Sequence, residues 1–199
     1  MIINCEQGTP EWFEARRGVV TASEFASVLS NGRGKAPSVT RRKYMLRLVG
    51  ERITGEVAET YSNAHMERGN LMEPDARAAY EFESGNTVEQ VGFVRNGDVG
   101  CSPDCFVGED GLLEIKTKLP HIQIDVLLSG EVPPEHKPQI QGQLWVCDRK
   151  WLDFVSYWPG LPVFIKRVER DEEYIATLAA KVTDFLEEMQ SVEDKIRGM

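Results

Sequence analysis

The feature that most constrains this chain is a pair of β-prone runs joined by a short polar turn. Val99–Val107 is followed by Gly108-Glu109-Asp110-Gly111 and then by Leu112–Thr117. Glycine at both ends of a brief acidic loop, between runs rich in Val, Leu and Ile, predicts an antiparallel hairpin. Side chains alternate faces along a strand, so Glu114 and Lys116 point one way and Leu113 and Ile115 the other, into a core. If Val99–Val107 is extended throughout, Ser102 and Asp104 share a face, and Cys101, Pro103 and Cys105 share the opposite one. The hairpin then sets Asp104 beside Glu114. Two carboxylates and an ammonium converge on one patch of an otherwise apolar sheet.

Paired carboxylates repel unless something positive lies between them. Hard cations such as Mg2+ take oxygen ligands, usually one or two protein carboxylates together with substrate phosphate. Metal-assisted phosphodiester hydrolysis needs that combination, because the cation polarises the phosphoryl oxygen and acidifies a water. A neighbouring lysine orients the water or offsets charge developing in the transition state. The bland alternative is that Glu114 and Lys116 decorate a solvent-exposed strand.

The rest of the chain supplies helices around this hairpin. Thr21 or Ser23 starts a helix through Phe25, Ala26, Val28 and Leu29. Asn31–Ser38 is a glycine-containing loop. Thr40–Thr54 has helical spacing, and so does Ala64–Phe82, with a kink or restart expected at Pro74. Val88–Arg95, Trp151–Trp158 and Val163–Val168 are strand candidates, and Pro138 opens a helix from Gln139 to about Cys147. Tyr174, Leu178, Val182, Phe185, Leu186 and Met189 form the apolar stripe of a last helix. We expect a single domain over residues 1–199, an α/β arrangement of a sheet with flanking helices.

Charge and cysteine usage narrow the class. The net charge is -9, yet residues 1–50 carry eight basic and four acidic side chains. Phe25–Gly50 has no acidic residue and holds Arg33, Lys35, Arg41, Arg42, Lys43 and Arg47. A local surface for a polyanion on an otherwise repelling molecule fits this asymmetry, as does a solvated helix face. No stretch is long and apolar enough for a membrane span. Met1–Glu6 has no signal-peptide pattern, so a cytoplasmic location is expected, with Cys5, Cys101, Cys105 and Cys147 as free thiols.

Pro103-Asp104, Glu114 and Lys116 are spaced as P-D-x(9)-E-x-K, which resembles the PD-(D/E)XK nuclease motif. Trp12–Glu24 resembles the N-terminal signature of the phage lambda exonuclease, or YqaJ-type viral recombinase, family. Gly69–Arg77 is similar to its second block, Gln139–Val146 to its fourth, and Val168–Tyr174 to the region that follows. The blocks run in family order from about Gln7 to Met189. The resemblance implies a restriction-endonuclease-like fold, with a central mixed sheet flanked by helices. It also implies a Mg2+-dependent exonuclease acting processively, 5′ to 3′, on double-stranded DNA ends. Such an enzyme releases 5′-mononucleotides and leaves a 3′ overhang. Two Mg2+ per active site are implied, with Mn2+ able to substitute. A homotrimeric ring, a single-strand annealing partner and a bacterial or phage-infected cytoplasm complete the implied setting.

Residue by residue, the resemblance makes Asp104, Glu114, Glu73 and the backbone carbonyl of Ile115 the metal ligands. Lys116 becomes the catalytic lysine. Gln139 and Gln141 match the Gln-x-Gln block and would bond the lysine, a water or the DNA backbone. On a helix Gln139 and Gln143 share a face and Gln141 does not, so not all three can meet the site. Arg16, Ser23 and Ser102 match a 5′-phosphate pocket, and an arginine fork with hydroxyls suits a terminal phosphate. Arg33 matches a basic residue that reaches into DNA, and Met66 is either an apolar wedge at the terminal base pair or core. The family commonly has glycine where this chain has Cys105. Two other readings stay open: a PD-(D/E)XK endonuclease of repair or restriction, and a non-enzymatic DNA-binding module.

Overall fold

The computed structural model describes residues 1–32, 38–58 and 64–199, without the side chains of residues 64–66. Arg33, most of the glycine loop and the Met66 side chain lie outside the described residues. Seven helices are described: α1 (Pro10–Arg16), α2 (Phe25–Leu29), α3 (Val39–Thr54), α4 (Ala64–Ser84), α5 (Pro120–Ser129), α6 (Lys137–Cys147) and α7 (Glu172–Arg197). Nine strands accompany them: β1 (Ile2–Ile3), β2 (Val20–Thr21), β3 (Val88–Gln90), β4 (Phe93–Asn96), β5 (Val99–Cys101), β6 (Cys105–Val107), β7 (Gly111–Thr117), β8 (Trp151–Tyr157) and β9 (Phe164–Glu169).

The expected single sheet is divided in two. One sheet runs β1-β4-β5-β2 and the other β3-β6-β7-β8-β9. In the larger sheet β7 and β8 are parallel and every other pair is antiparallel. The hairpin forms as expected, with Cys105 opposite Leu113 and Val107 opposite Gly111. Its first arm is not one strand. Ser102-Pro103-Asp104 breaks it, so that β5 belongs to one sheet and β6 to the other. Proline has no amide to give a ladder, which makes this a natural place to leave one sheet. Val88–Arg95 splits likewise at Val91-Gly92. A Cβ on Gly92 would stand 2.2 Å from the Cys5 carbonyl oxygen, so the N-terminal segment passes where only glycine fits.

Both faces of β7 are covered. Leu113 and Ile115 pack with Cys105, Val107 and Val155 beneath Ala76 and Tyr80 of α4. Leu112 joins Leu152, Phe154, Ile140 and Leu144 in the larger core, with Leu178, Val182, Phe185 and Met189 of α7. The expected stripe on the last helix is therefore the one that is buried. A strand enclosed on both sides cannot carry an unmatched charge without large cost. Asp153 in β8 is matched by the Tyr80 hydroxyl at 2.8 Å and a two-pronged Arg167 pair at 2.8 and 2.9 Å. Glu114 is the other buried acid of this sheet.

A kink or restart was expected at Pro74; α4 does not restart there but runs as one helix from Ala64 to Ser84. Proline there removes one backbone bond, to the carbonyl a turn earlier, at Asn70. Asn70, Glu73 and Pro74 all line the same groove. Two helices carry no periodic signal strong enough to be expected. Thr9 caps α1 and accepts from the Trp12 N–H, with Pro10 in the first turn. Helix α5 also opens with a proline, Pro120, and ends at Gly130 in the left-handed conformation.

Candidate active site

The site is built where β7 emerges between α4 and α6. Asp104 donates its backbone N–H to the Leu113 carbonyl at 3.1 Å, which continues the hairpin past β6. Its carboxylate Oδ2 accepts the Ile115 N–H at 2.5 Å. One residue further along, Lys116 places its ammonium 2.5 Å from Glu114 Oε1. The Asp–Glu–Lys convergence expected from the hairpin is therefore present. Glu114 is not a surface decoration: it is 3% exposed.

Helix α6 explains how such a carboxylate is tolerated. Gln139 and Gln143, one turn apart, donate their amide N–H groups to Glu114 Oε1 and Oε2, each at 2.7 Å. Gln139 thus meets Glu114 itself and not the lysine. Gln143 was left unassigned by the motif, although its helical spacing from Gln139 is the signal that finds it. Gln141 corrects the sequence expectation. It points away, donates to the Glu169 carbonyl and accepts from the Asp171 N–H, both at 2.9 Å. Buried there, it ties α6 to the start of α7 and does not reach the site.

Electrostatics mark the same cluster. Burial pushes the Asp104 carboxyl well above the usual carboxylate range, and Glu114 and Glu73 add to it, while Lys116 and the Ile115 N–H oppose. Burial presses the Lys116 ammonium down, but Glu114 and Asp104 outweigh it and hold the group above its ordinary value. Glu73 stands on α4 and is paired with Arg77 at 2.8 Å. Among the described residues, no three acidic, histidine or cysteine side chains close on a single point. The donor set nonetheless suits a hard divalent cation. Glu114 Oε2 has one donor, Asp104 Oδ1 has none among the described residues, and a cation meeting two carboxylates, a carbonyl and waters is ordinary for Mg2+.

A second cluster adjoins the first. Arg16 of α1 reaches the hydroxyls of Ser102 and Ser23 at 3.4 and 3.5 Å. The three residues expected to form a phosphate pocket are thus together. Trp12, unassigned individually, supports them. Its indole N–H donates to Ser102 Oγ at 2.8 Å, and its ring lies 4.1 Å from the Arg16 guanidinium. Burial lowers the Arg16 guanidinium from its ordinary value, opposed by Tyr44, Cys101 and Glu24. Asp104, Glu114, Gln139, Gln143, Arg16, Ser23 and Ser102 line one cavity of about 190 Å3. Cys101 lines it too, whereas Cys105 packs in the core beneath α4. The expectation that both cysteines share a face fails because the strand breaks between them.

The basic stretch is partly neutralised. Arg41 pairs with Glu188 of α7 at 2.6 Å and Arg47 with Glu24 at 3.5 Å. Arg47 still lines the wider groove with Arg16, Arg17 and Arg77.

Comparison with known proteins places the chain in a family. The model of the YqaJ-like viral recombinase domain matches residues 11–150. An alkaline exonuclease, LHK-Exo from Laribacter hongkongensis, is 39% identical, with 95% of this chain and 96% of that one covered and a TM-score of 0.84. The same exonuclease in complex with dAMP gives a TM-score of 0.86 at the same identity and coverage. A phage-related exonuclease from Haemophilus somnus 129PT is 15% identical over 90% of this chain and 95% of that one, with a TM-score of 0.65, which is a likeness of fold alone. No functionally curated protein matches. Fold and site together define a nuclease with a restriction-endonuclease-like fold. The chain belongs to the YqaJ-like viral recombinase family.

Proposed function

We propose that this chain is a Mg2+-dependent exonuclease that degrades one strand of duplex DNA from its 5′ end, releasing 5′-mononucleotides and leaving a 3′ single-stranded overhang. The observation that carries the reading is the shared cavity. The carboxylates Asp104 and Glu114 and the cluster of Arg16, Ser23 and Ser102 line one cavity of about 190 Å3. An enzyme that cuts next to a terminal phosphate needs two such sites about one nucleotide apart.

Each residue has a role. Arg16, Ser23 and Ser102 bind the 5′-phosphate, and Trp12 holds both the guanidinium and the Ser102 hydroxyl for it. Asp104, Glu114 and the Ile115 carbonyl would hold Mg2+, and Glu73, now paired with Arg77 at 2.8 Å, would serve a second ion or the attacking water. When bound, Mg2+ polarises the phosphoryl oxygen and lowers the pKa of its water. Lys116 positions the nucleophile and offsets negative charge on the phosphorane-like transition state. Gln139 keeps Glu114 oriented. The DNA backbone follows the groove lined by Arg16, Arg17, Arg47 and Arg77.

Processive action fits a ring of three chains around the duplex, and the overhang suits a single-strand annealing protein that loads on it. Light scattering should then give three times the 22.5 kDa chain mass. The decisive experiment compares a 5′-phosphorylated linear duplex, a 5′-hydroxyl duplex and a closed circle, with Mg2+ and with chelator. Mononucleotide release from the phosphorylated end, slower release from the hydroxyl end and an intact circle are expected. Rapid cutting of the circle would identify an endonuclease. DNA binding with no Mg2+-dependent product would leave only a binding module.

A further inference from the structure

We propose that Gln143 is a positioning residue that fixes the cation-holding carboxylate Glu114, an assignment that rests on the nuclease reading above. Gln139 and Gln143 are four residues apart on α6 and so project from one face. Their amides take one Glu114 oxygen each at 2.7 Å. The two oxygens are not equivalent. Oε1 also receives Lys116 at 2.5 Å, so both of its lone pairs are engaged. Oε2 has Gln143 alone, and its other lone pair is the one this carboxylate can give to a cation. Gln143 therefore sets the direction of the ligating oxygen, whereas Gln139 and Lys116 secure the other.

The far end of the same side chain supports a role beyond packing. Gln143 is 1% exposed, and its Oε1 is buried with no donor among the described residues. The amide cannot simply be reversed, because that would set a carbonyl oxygen against the Glu114 carboxylate. A buried carbonyl without a donor costs stability. A leucine of similar volume would remove that carbonyl, but it would also take the 2.7 Å N–H from a Glu114 carboxylate that is 3% exposed, so the glutamine is held here by what it does for that carboxylate. Gln143 lines the cavity with Asp104, Glu114 and Ser102. Partners that orient a metal ligand in this way typically change metal affinity roughly 10- to 100-fold when removed.

The test is direct titration of the full-length chain with Mn2+, without DNA, followed by electron paramagnetic resonance. It is paired with the Mg2+ dependence of nuclease activity. Gln143→Leu should weaken Mn2+ binding roughly 10-fold or more and raise half-saturating Mg2+ by a similar factor. Its rate at saturating Mg2+ should change little, and its melting temperature without metal should fall, because buried Glu114 loses a donor. Gln143→Asn, which keeps the amide but withdraws it, should also weaken binding and covers the case in which leucine does not fold. Gln141→Leu, on the opposite face, should lower the melting temperature and leave Mn2+ binding unchanged. Parental affinity in folded Gln143→Leu or Gln143→Asn would overturn the assignment. A parent that itself binds no Mn2+ and cuts no DNA would instead overturn the nuclease reading on which it rests.

Discussion

The Asp104 carboxylate is held by the backbone N–H of Ile115, at 2.5 Å, so the first acid of the site is anchored to the residue between the second acid and the lysine. The hairpin thus places Asp104 beside Glu114 and Lys116, which are secured in turn by Gln139 and Gln143 and by their own ion pair. Burial, Glu114 and Glu73 keep the Asp104 carboxyl well above its usual range. In the free protein its ionised form therefore works against folding. That part of the stability is present at low pH and lost as pH rises through the raised value. Asp104→Asn keeps an oxygen for Ile115 and removes the charge. It should abolish cleavage, by on the order of 10³-fold or more, while raising the stability of the metal-free protein. Thermal melts with and without Mg2+ check this. The parent should gain stability on adding the ion by mass action, and the variant should not. A variant less stable than the metal-free parent would contradict the account.

Arg16 sits between two hydroxyls and on an indole face, a geometry that a lysine cannot reproduce because it lacks the planar fork. Arg16→Lys should therefore lose most of the preference for a 5′-phosphorylated end. Cleavage of a 5′-hydroxyl end should change less than threefold, roughly the scale of one weak contact. Trp12→Phe keeps the ring but removes the donor to Ser102, and should show a smaller loss of the same kind. Single-turnover rates on the two substrates give the comparison. Equal loss on both would move Arg16 from end recognition to general folding.

The hairpin carrying Asp104, Glu114 and Lys116 was legible because period-two alternation and a glycine-bounded turn are local properties. Gln139 and Gln143 were legible as a shared helix face, but not their target, because nothing local says which strand α6 covers. Gln141 was misread for that reason: a motif position says nothing about which element its side chain meets, and here it meets the start of α7. The division into two sheets was hidden as well. It depends on the N-terminal segment lying against Gly92 and on Gln7 reaching the Val91 and Pro103 carbonyls at 2.9 Å, contacts across more than eighty residues. The Arg16–Ser23–Ser102 cluster likewise joins an early helix to the strand break, and only the family resemblance brought those residues together in advance.

His136 immediately precedes α6, and its Nε2 is buried with no hydrogen-bond partner among the described residues, the Glu135 carboxylate lying 3.9 Å away. Burial, with Lys118 and Lys116 nearby, pushes its pKa down to about 4. An unfolded histidine titrates near 6.5. Above that value both states are neutral and nothing is lost. As pH falls from about 6.5 to about 4 the unfolded chain takes up a proton that the fold refuses, and stability declines. The full decline is worth about 3 kcal/mol. His136→Phe should flatten stability over that window, as followed by urea unfolding at a series of pH values. An unchanged slope in the variant would assign the acid sensitivity elsewhere.

Gly142 lets α6 lie against the turn that carries Ser23. A Cβ there would stand 2.3 Å from Phe25 Cδ2 and 3.3 Å from the Ala22 Cβ. Phe25 is fully enclosed and has no room to withdraw. Gly142→Ala should therefore cost about 1–3 kcal/mol through overpacking, a fall of several degrees in melting temperature for a chain of this size. Because α6 also bears Gln139 and Gln143, pushing it outward loosens their hold on Glu114, so half-saturating Mg2+ should rise in the same variant. Phe25→Leu makes space for the new methyl. The double variant Phe25→Leu, Gly142→Ala should be more stable than the two single costs summed, and it should recover part of the Mg2+ affinity. Strictly additive costs would mean that the methyl meets something other than Phe25, since independent sites add and touching ones do not.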